Sequence, residues 1–453
     1  MKNSIHKLLF LLLFAAYSIN TFAQSFLPEA VVTNIKARVD NGTNQAIVVA
    51  VIDADGPHYF SYGVKSLKTK EPVNEYSVFE IGSISKVFTG ILLADRVLKG
   101  DMKLDDPLQK YLPEGVKSPV RNGASIQLVN MSNHTSSLPR MPGNFTPANP
   151  ANPFADYTEK QMWDYLNGYE LTRDIGSQYE YSNYAQGILG HVLASQKKTT
   201  YEKLMVDLIA DPLKMNDTRI TLTPRMKTNL AFGHSAGAQV ENWDIPTLAG
   251  AGAIRSTAVD MVTFISANMG KTKTKLFPAM QLSHQNTRPE GSTPMVALGW
   301  HKVITPDVEV IWHNGGTGGY RTFAGFTKAG DKGVVVLSNS DVSIDDIGFH
   351  LLNPKSPLKE IPKEISVPEE VLQRYVGKYA LSAAFVLTVT RDGSQLKVQA
   401  TGQAELPVYP KATNVFFWKA VEAQITFNEK DGKIESATMK QGGREIIGPR
   451  MPD

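Results

Sequence analysis

A cluster of prolines constrains this chain most, because it divides the 453 residues into two unequal parts that need separate cores. Four prolines fall within fifteen residues, at Pro354, Pro357, Pro362 and Pro368. Proline fixes φ and has no backbone N–H, so such a stretch cannot sustain a helix or a central strand. The sequence therefore predicts a linker over residues 354–368.

The distribution of apolar segments before the linker predicts a mixed α+β domain. Apolar segments at Ala46 to Ile52 and Gly333 to Leu337 lie near its two ends, on either side of a long helical middle. Such a pattern favours an antiparallel sheet built from both ends of the domain, with a helical subdomain between them.

The tail over residues 369–453 has the pattern of a small all-β domain. Phe385 to Thr390 and Leu396 to Ala400 alternate in polarity around Asp392-Gly393, which is typical of a hairpin turn. Asp431-Gly432 predicts a second hairpin.

The N-terminal 23 residues have the features of a secretory signal peptide. Lys2 and Lys7 precede the short apolar run Leu8 to Ala16, and Thr21-Phe22-Ala23 supplies small residues at the cleavage positions. The run is too short to span a bilayer. We expect cleavage after Ala23, a periplasmic or secreted protein, and a first mature domain over residues 24–353.

Composition excludes several classes of function. The chain has no cysteine and no H-E-x-x-H, so we expect neither a metal site nor another cofactor. Removing Lys2 and Lys7 with the signal peptide lowers the formal net charge from +3 to +1. A nearly neutral protein is a poor partner for nucleic acid. The oligomeric state is left open.

Ser83 and Lys86 form the first candidate catalytic pair. They lie three residues apart in Ser83-Ile84-Ser85-Lys86, where an apolar helical pattern begins that runs to Gly100. Residues with this spacing share one helical face, and an amine beside a serine hydroxyl can activate it as a nucleophile.

Two further segments give this pair its context. Tyr181-Ser182-Asn183 and His313-Asn314-Gly315-Gly316 follow it along the chain. In this order the three segments resemble the active-site motifs of the penicillin-recognising serine hydrolases, a family that includes class C β-lactamases, DD-peptidases, D-aminopeptidases and esterases. Similar landmarks extend the resemblance over roughly residues 30 to 350, namely Lys103 to Leu108, His134 to Pro139, Asp211 to Thr218 and Ser256 to Met261.

This resemblance implies an α/β/α sandwich of the β-lactamase/transpeptidase type, and an acyl-enzyme mechanism. Ser83 would be the nucleophile, and Lys86 and Tyr181 would act together as its base, with neighbouring cations favouring the Tyr181 phenolate. Asn183 would hold the amide arm of the substrate and the Lys86 ammonium.

The third motif would form the substrate-binding strand. The resemblance assigns substrate binding to His313, Asn314, Gly315 and Gly316, and it places the oxyanion hole at the backbone N–H groups of Ser83 and Gly316. The tail resembles a lipocalin-like β-domain appended to some members of the family, through Leu372 to Tyr379 and the hairpin spacing.

Two departures from the class C pattern bear on the substrate. His313 stands where class C enzymes have lysine, and Met141 stands where they have glutamine. With a pKa near 6.5, His313 would attract a substrate carboxylate only in its charged form. We expect a small-molecule or peptidoglycan-peptide substrate, hydrolysed at a β-lactam or D-amino-acid amide bond. A carboxylesterase is the alternative, and a non-catalytic penicillin-binding sensor is a remote one.

Gly233-His234-Ser235-Ala236-Gly237 matches the G-x-S-x-G nucleophile motif of α/β-hydrolases. That motif requires a hydrophobic strand before it and a helix after it, and the sequence has neither. We therefore expect Ser235 in a loop or at a strand end, without a catalytic role.

Overall fold

A computed structural model describes residues 26–419, 421 and 423–452. The expected signal peptide at residues 1–23 lies outside the described residues. No helix within the described ranges combines the length and the apolar character that crossing a membrane requires.

The described helices are α1 (Glu29–Asp40), α2 (Ser85–Leu98), α3 (Leu128–Ser132), α4 (Glu159–Gly168), α5 (Asn183–Ser195), α6 (Tyr201–Met205), α7 (Pro224–Thr228), α8 (Ala249–Gly252), α9 (Ala258–Asn268), α10 (Phe277–Ser283), α11 (Asp345–Leu352) and α12 (Glu369–Tyr375). Short 3₁₀ turns lie at Gly82–Ile84 and Leu108–Tyr111, and a π-helical turn lies at Val206–Ala210.

The described strands are β1 (Ala46–Ile52), β2 (Pro57–Gly63), β3 (Phe79–Glu80), β4 (Val120–Arg121), β5 (Ala124–Ser125), β6 (His234–Ser235), β7 (Ala238–Gln239), β8 (Arg255–Ser256), β9 (Met295–Val296), β10 (His301–Ile304), β11 (Glu309–Gly316), β12 (Arg321–Thr327), β13 (Gly333–Ser338), β14 (Gly377–Ser382), β15 (Phe385–Asp392), β16 (Gln395–Ala400), β17 (Glu405–Ala412), β18 (Val415–Phe417), β19 (Ala423–Lys430), β20 (Lys433–Gln441) and β21 (Arg444–Pro449).

A seven-stranded antiparallel sheet forms the centre of the first domain, in the order β2-β1-β13-β12-β11-β10-β9. Its two long apolar strands pair directly, with Ile47 opposite Ser338 and Ile52 opposite Gly333. The sheet is thus built from both ends of the domain, as the sequence predicts.

Both faces of this sheet are covered by helices. Alternate β1 residues such as Val48 join the larger core, which includes residues of α2, α5 and α9. The intervening residues, such as Val49, join a smaller core with residues of α1 and α11. Because strand side chains alternate between faces, every residue of β1 is buried. The predicted α/β/α sandwich with a helical subdomain is confirmed.

Helix α2 carries the first motif through the larger core. Every residue from Ser85 to Arg96 is buried, and Phe88 stacks on Phe264 of α9 with 4.2 Å between ring centroids. The helix ends at Leu98, two residues before Gly100, as the sequence predicts. Because α2 is surrounded by core, side chains in its first turn are held in a rigid and largely dry environment.

The tail forms an eight-stranded antiparallel sheet with its strands in chain order, β14 to β21. An additional bridge between Tyr379 and Arg450 joins the first strand to the end of the last, so the sheet is a nearly closed barrel. Hairpin turns follow Asp392 and Lys430, as the sequence predicts. The tail is not entirely β, because α12 precedes the barrel and packs Leu372 and Tyr375 into its core.

The stretch between Leu352 and Glu369 contains no helix or strand. Part of it is nevertheless bound to the first domain, because Asn34 donates to the Lys359 carbonyl and Leu358 packs against the smaller core. The division into residues 24–353, 354–368 and 369–453 remains a prediction.

Candidate active site

Ser83 lies on the 3₁₀ turn that leads into α2, where its side chain is partly exposed. Gly82 precedes it with φ +52°, and a Cβ on Gly82 would lie 2.7 Å from the backbone N of Gly316. A side chain at residue 82 would therefore separate the Ser83 turn from the end of β11. Glycine allows these two backbones, which carry the expected oxyanion donors, to come together.

Lys86 is completely buried in the first turn of α2. Its Nζ donates to the Ser83 Oγ at 2.9 Å and to the Ala251 carbonyl at 2.6 Å. Burial lowers the pKa of Lys86 well below its ordinary value, and the positive charge of Arg140 lowers it further. The amine therefore loses its proton more readily than an ordinary lysine, which is the property that a general base beside Ser83 requires.

Tyr181 completes the group around Ser83. Its hydroxyl lies near enough to Ser83 for that serine to influence its pKa, and its ring lies below Lys86 Nζ at 4.7 Å from the centroid. The next residue, Ser182, fixes this position by capping α5 and by donating to the Pro139 carbonyl at 2.7 Å.

Tyr181 differs from the expectation that neighbouring cations favour its phenolate. Burial raises the pKa of the Tyr181 hydroxyl, and this effect exceeds the lowering by Ser83 and Arg140. The side chain is therefore a neutral phenol at neutral pH. Of the expected pair of bases, Lys86 is the one whose pKa is shifted in the direction that a base requires.

Asn183 is the first residue of α5, and its expected bond to the Lys86 ammonium is absent from the described contacts. The Ala251 carbonyl occupies that role instead, while Asn183 Nδ2 lies 3.7 Å from the sulfur of Met141. Asn183 is partly exposed and remains available to a substrate amide.

His313 projects from β11 toward Tyr181, with 6.2 Å between the ring centroids. It is 1 % exposed, and its Nδ1 donates to the Asn314 carbonyl at 2.5 Å. Burial lowers the pKa of His313 well below its ordinary value, and the neighbouring His301 and Lys86 lower it further. The expectation of a pKa near 6.5 is therefore wrong, and His313 is neutral throughout the physiological range.

Asn314 does not face Ser83, contrary to a substrate-binding role for its side chain. Its Nδ2 donates to the Asp345 carboxylate on α11 at 2.6 Å. Because adjacent strand residues point to opposite faces, the inward orientation of His313 requires Asn314 to point outward. The bond to Asp345 thus attaches β11 to α11 on the face of the sheet opposite His313, and the side chain of Asn314 has a structural contact there.

Gly315 allows β11 to approach the Ser83 turn. A Cβ on Gly315 would lie 2.0 Å from the Ile81 carbonyl oxygen. Thr322 of β12 donates to the same carbonyl at 3.0 Å, which fixes the turn against the sheet. The N–H groups of Ser83 and Gly316 thus belong to backbone segments in direct contact.

Sequence reasoning missed a histidine cluster that surrounds Tyr181. His134 lies 4.5 Å and His301 6.3 Å from the Tyr181 ring, and His301 lies 4.8 Å from His313, all between ring centroids. His134 Nδ1 accepts from the Ser182 N–H at 3.1 Å, and His301 Nε2 lies 2.9 Å from the Tyr179 hydroxyl. Burial lowers the pKa of both, that of His301 to about 4.

His134 lies more than a hundred residues before His301 and His313, so no local pattern could reveal the cluster. No group of three or more His, Cys, Asp or Glu side chains in the described part of the chain could hold a metal ion. The three histidine rings lie around the Tyr181 phenol, and burial lowers the pKa of each of them.

Ser235 lies apart from this site. It ends the two-residue strand β6 in a short hairpin with β7, and its hydroxyl donates to Asp341 at 2.6 Å. This is the strand-end position that the sequence predicts.

Comparison with known proteins agrees with this geometry. Residues 31–350 match the β-lactamase family, and residues 362–448 match a domain of unknown function (DUF3471). The chain belongs to the β-lactamase family. The first match covers the whole sandwich with all three motifs, so the protein is a serine hydrolase of this family.

Individual relatives extend the comparison. The chain is 30% identical over 311 residues to the D-alanyl-D-alanine-carboxypeptidase/endopeptidase AmpH of Escherichia coli (strain K12), covering 65% of this chain and 79% of that protein. It is 24% identical over 445 residues to a penicillin-binding protein of Bacillus subtilis (strain 168), covering 89% of this chain and 94% of that protein. A solved class C β-lactamase shares the fold with a TM-score of 0.64 at 22% identity, covering 73% of this chain and 96% of that one.

Proposed function

We propose that this serine hydrolase forms an acyl-enzyme on Ser83 and hydrolyses D-amino-acid amide or peptide bonds of the cell wall, or the amide bond of β-lactams. One observation carries the proposal: the buried Lys86 amine lies 2.9 Å from the Ser83 hydroxyl, and no carboxylate among the described residues pairs with it. An ammonium paired with a carboxylate would keep its proton, whereas this amine can release it.

The reaction begins with proton transfer from Ser83 Oγ to the neutral Lys86 Nζ. The serine oxygen attacks the substrate carbonyl, and the N–H groups of Ser83 and Gly316 stabilise the oxyanion, each by about 2.7 to 4 kcal/mol. The Tyr181 phenol lies near Ser83 and can donate a proton to the leaving nitrogen. Lys86 then restores the phenol proton, and water hydrolyses the acyl-enzyme by the reverse proton path.

The substrate class draws support from two sources. One relative named above is a D-alanyl-D-alanine carboxypeptidase and endopeptidase, and the family match is to β-lactamases. In addition, the partly exposed Asn183 offers both a donor and an acceptor to a substrate amide. The signal-like leader supports a periplasmic or secreted location, where cell-wall peptides are found.

A carboxylesterase is the second candidate, and His313 is the observation that favours it. A buried neutral histidine does not supply the permanent charge of the class C lysine. An uncharged ester forms no ion pair with such a lysine, so its binding at this strand is not weakened by the histidine.

The test combines a fluorescent penicillin with a nitrophenyl ester, applied to the parent protein, Ser83→Ala and Ser235→Ala. We expect the parent and Ser235→Ala to be labelled by the penicillin, and Ser83→Ala to lack both labelling and esterase activity. Ester hydrolysis without penicillin labelling would replace the peptidase proposal with the esterase. Activity that persists in Ser83→Ala would overturn both.

A further inference from the structure

His313 and Lys86 do not supply a permanent positive charge to the site. Both side chains are buried and have pKa values held well below their ordinary ranges, so neither presents a permanent cation to a substrate. Any positive charge that selects an anionic substrate must therefore come from another residue.

Arg140 is an exposed cation directly above the catalytic group. Its guanidinium lies 5.0 Å from the centroid of the Tyr181 ring. Its backbone carbonyl accepts from the N–H groups of Asn183 and Tyr184 at 3.0 and 3.3 Å, so the start of α5 fixes its position. The charge is also close enough to lower the pKa of Lys86.

Arg140 has no ion-pair partner among the described residues, unlike buried arginines such as Arg38, which pairs with Asp346 at 2.5 Å. The two other arginines near the site donate to backbone. Arg288 lies over the Tyr179 ring at 5.7 Å and donates to the Pro294 carbonyl, while Arg321 donates to the carbonyls of Thr317 and Tyr320. Arg140 is thus the cation with free donors.

The neighbours of Arg140 indicate which part of a substrate it meets. Met141 contacts the Asn183 side chain, the group assigned to the amide arm of the acyl donor. Arg140 therefore lies on the acyl side of Ser83, whereas Gly316 and His313 belong to the strand on the other side of the turn. A guanidinium binds a carboxylate through two parallel N–H donors, which gives it both strength and orientation.

We infer that Arg140 is a specificity-determining residue that binds a carboxylate on the acyl arm of the substrate, so that the enzyme prefers acyl donors with an acidic side arm. This inference rests on the proposed acyl-enzyme function. It narrows the expected substrates to peptides or esters whose acyl part carries a carboxylate. Acyl groups of the same size without that carboxylate should react less well.

The experiment uses two esters with the same leaving group, 4-nitrophenyl valerate and its carboxylate-bearing analogue 4-nitrophenyl glutarate, each corrected for spontaneous hydrolysis. The parent should show a higher kcat/KM for the glutarate. Arg140→Gln should lower the glutarate-to-valerate ratio by about 10- to 100-fold, mainly through KM, because a hydrogen bond between charged groups is lost. Arg140→Lys should retain part of the preference.

Two controls separate binding by Arg140 from a general change in the site. Arg288→Gln should keep the parental ratio. Added NaCl should lower the ratio in the parent but not in Arg140→Gln, because salt screens an exposed ion pair. A ratio within twofold of the parent in Arg140→Gln, or a loss that follows Arg288→Gln instead, would overturn the inference. Failure of the parent to hydrolyse either ester would overturn the acyl-enzyme proposal itself.

Discussion

The first domain and the barrel differ in how their buried polar atoms are satisfied. Within the described residues, every buried side-chain N or O without a hydrogen-bond partner belongs to the first domain, and the set includes His134 Nε2, His301 Nδ1 and His313 Nε2 around Tyr181. In the barrel, the buried tyrosines are satisfied: Tyr379 donates to the Tyr375 carbonyl at 2.8 Å, and Tyr375 donates to that of Thr413 at 3.1 Å.

This difference separates a core built for stability from one that also holds reactive groups. An unsatisfied buried polar atom costs about 1 to 3 kcal/mol, and such costs concentrate where function requires them. The barrel interior is instead filled with aromatic packing, such as Tyr375 on Phe427 with ring centroids 4.4 Å apart. The unsatisfied polar atoms therefore lie in the domain that contains the proposed active site, and the barrel has a packed interior.

The largest expected effect is the loss of turnover in Ser83→Ala. Because Ser83 is the proposed nucleophile, kcat/KM for a nitrophenyl ester should fall by at least about 10,000-fold, with an unchanged circular dichroism spectrum. Ser235→Ala is the matched control and should retain activity within twofold. A comparable loss in Ser235→Ala would contradict the assignment of the site.

Lys86 and Tyr181 should behave as one unit. Replacing Lys86 with methionine or Tyr181 with phenylalanine should each lower the acylation rate by about 100- to 10,000-fold, because each interrupts the same proton path. The double variant should be little worse than the more damaged single variant. Stopped-flow acylation of the four proteins measures this, and losses that multiply in the double variant would show two independent roles.

Acid should destabilise the first domain more than the barrel. Burial holds the pKa of His134, His301 and His313 below the value near 6.5 of an unfolded chain, so the unfolded state binds protons that the folded state excludes. Stability should fall as the pH drops below 6.5, by up to about 1.4 kcal/mol per pH unit for each histidine, and for His301 down to about pH 4. The barrel sequence contains no histidine.

Hydrogen exchange read separately for the two regions at pH 7 and pH 5 measures this difference. His301→Gln should reduce the acid sensitivity of the first domain, and His58→Gln, at the surface end of the sheet, is the control. Equal loss of protection in both regions would contradict this explanation.

The smallest expected effect is that of removing the barrel. A chain ending at Ile361 keeps Leu358 and Lys359, which contact the first domain, and it retains all three motifs. It should be acylated by a fluorescent penicillin at a rate within about threefold of the full chain, because no catalytic group is lost. A soluble, folded truncation that resists acylation would show that the barrel takes part in the chemistry.

Sequence reasoning succeeded where a pattern is local. The spacing of Ser83 and Lys86 predicts their shared helical face, and the apolar segments near the two ends of the first domain predict strands that pair in the sheet. It failed where function depends on contacts between distant segments. The Ala251 carbonyl at Lys86 has no signature in the sequence, since every residue carries a carbonyl group.

Burial is the other property that the sequence did not supply. The sequence predicts that His313 titrates near pH 6.5 and that Tyr181 favours its phenolate, and in both cases desolvation disfavours the predicted charge. The family resemblance assigns Asn314 to the substrate, whereas the alternation of side chains along β11 places it against Asp345. Each error concerns the environment of a residue rather than its identity.

The most direct test of the central claim is peptide mapping of the acyl-enzyme by mass spectrometry after reaction with a slowly hydrolysed acylating agent at several pH values. We expect a single adduct on the peptide that contains Ser83, forming faster as the pH rises through the lowered pKa of Lys86, because the neutral amine is the base. An adduct on Ser235, or a rate of Ser83 acylation that falls as the pH rises, would contradict the assignment of Ser83 as the nucleophile and Lys86 as its base.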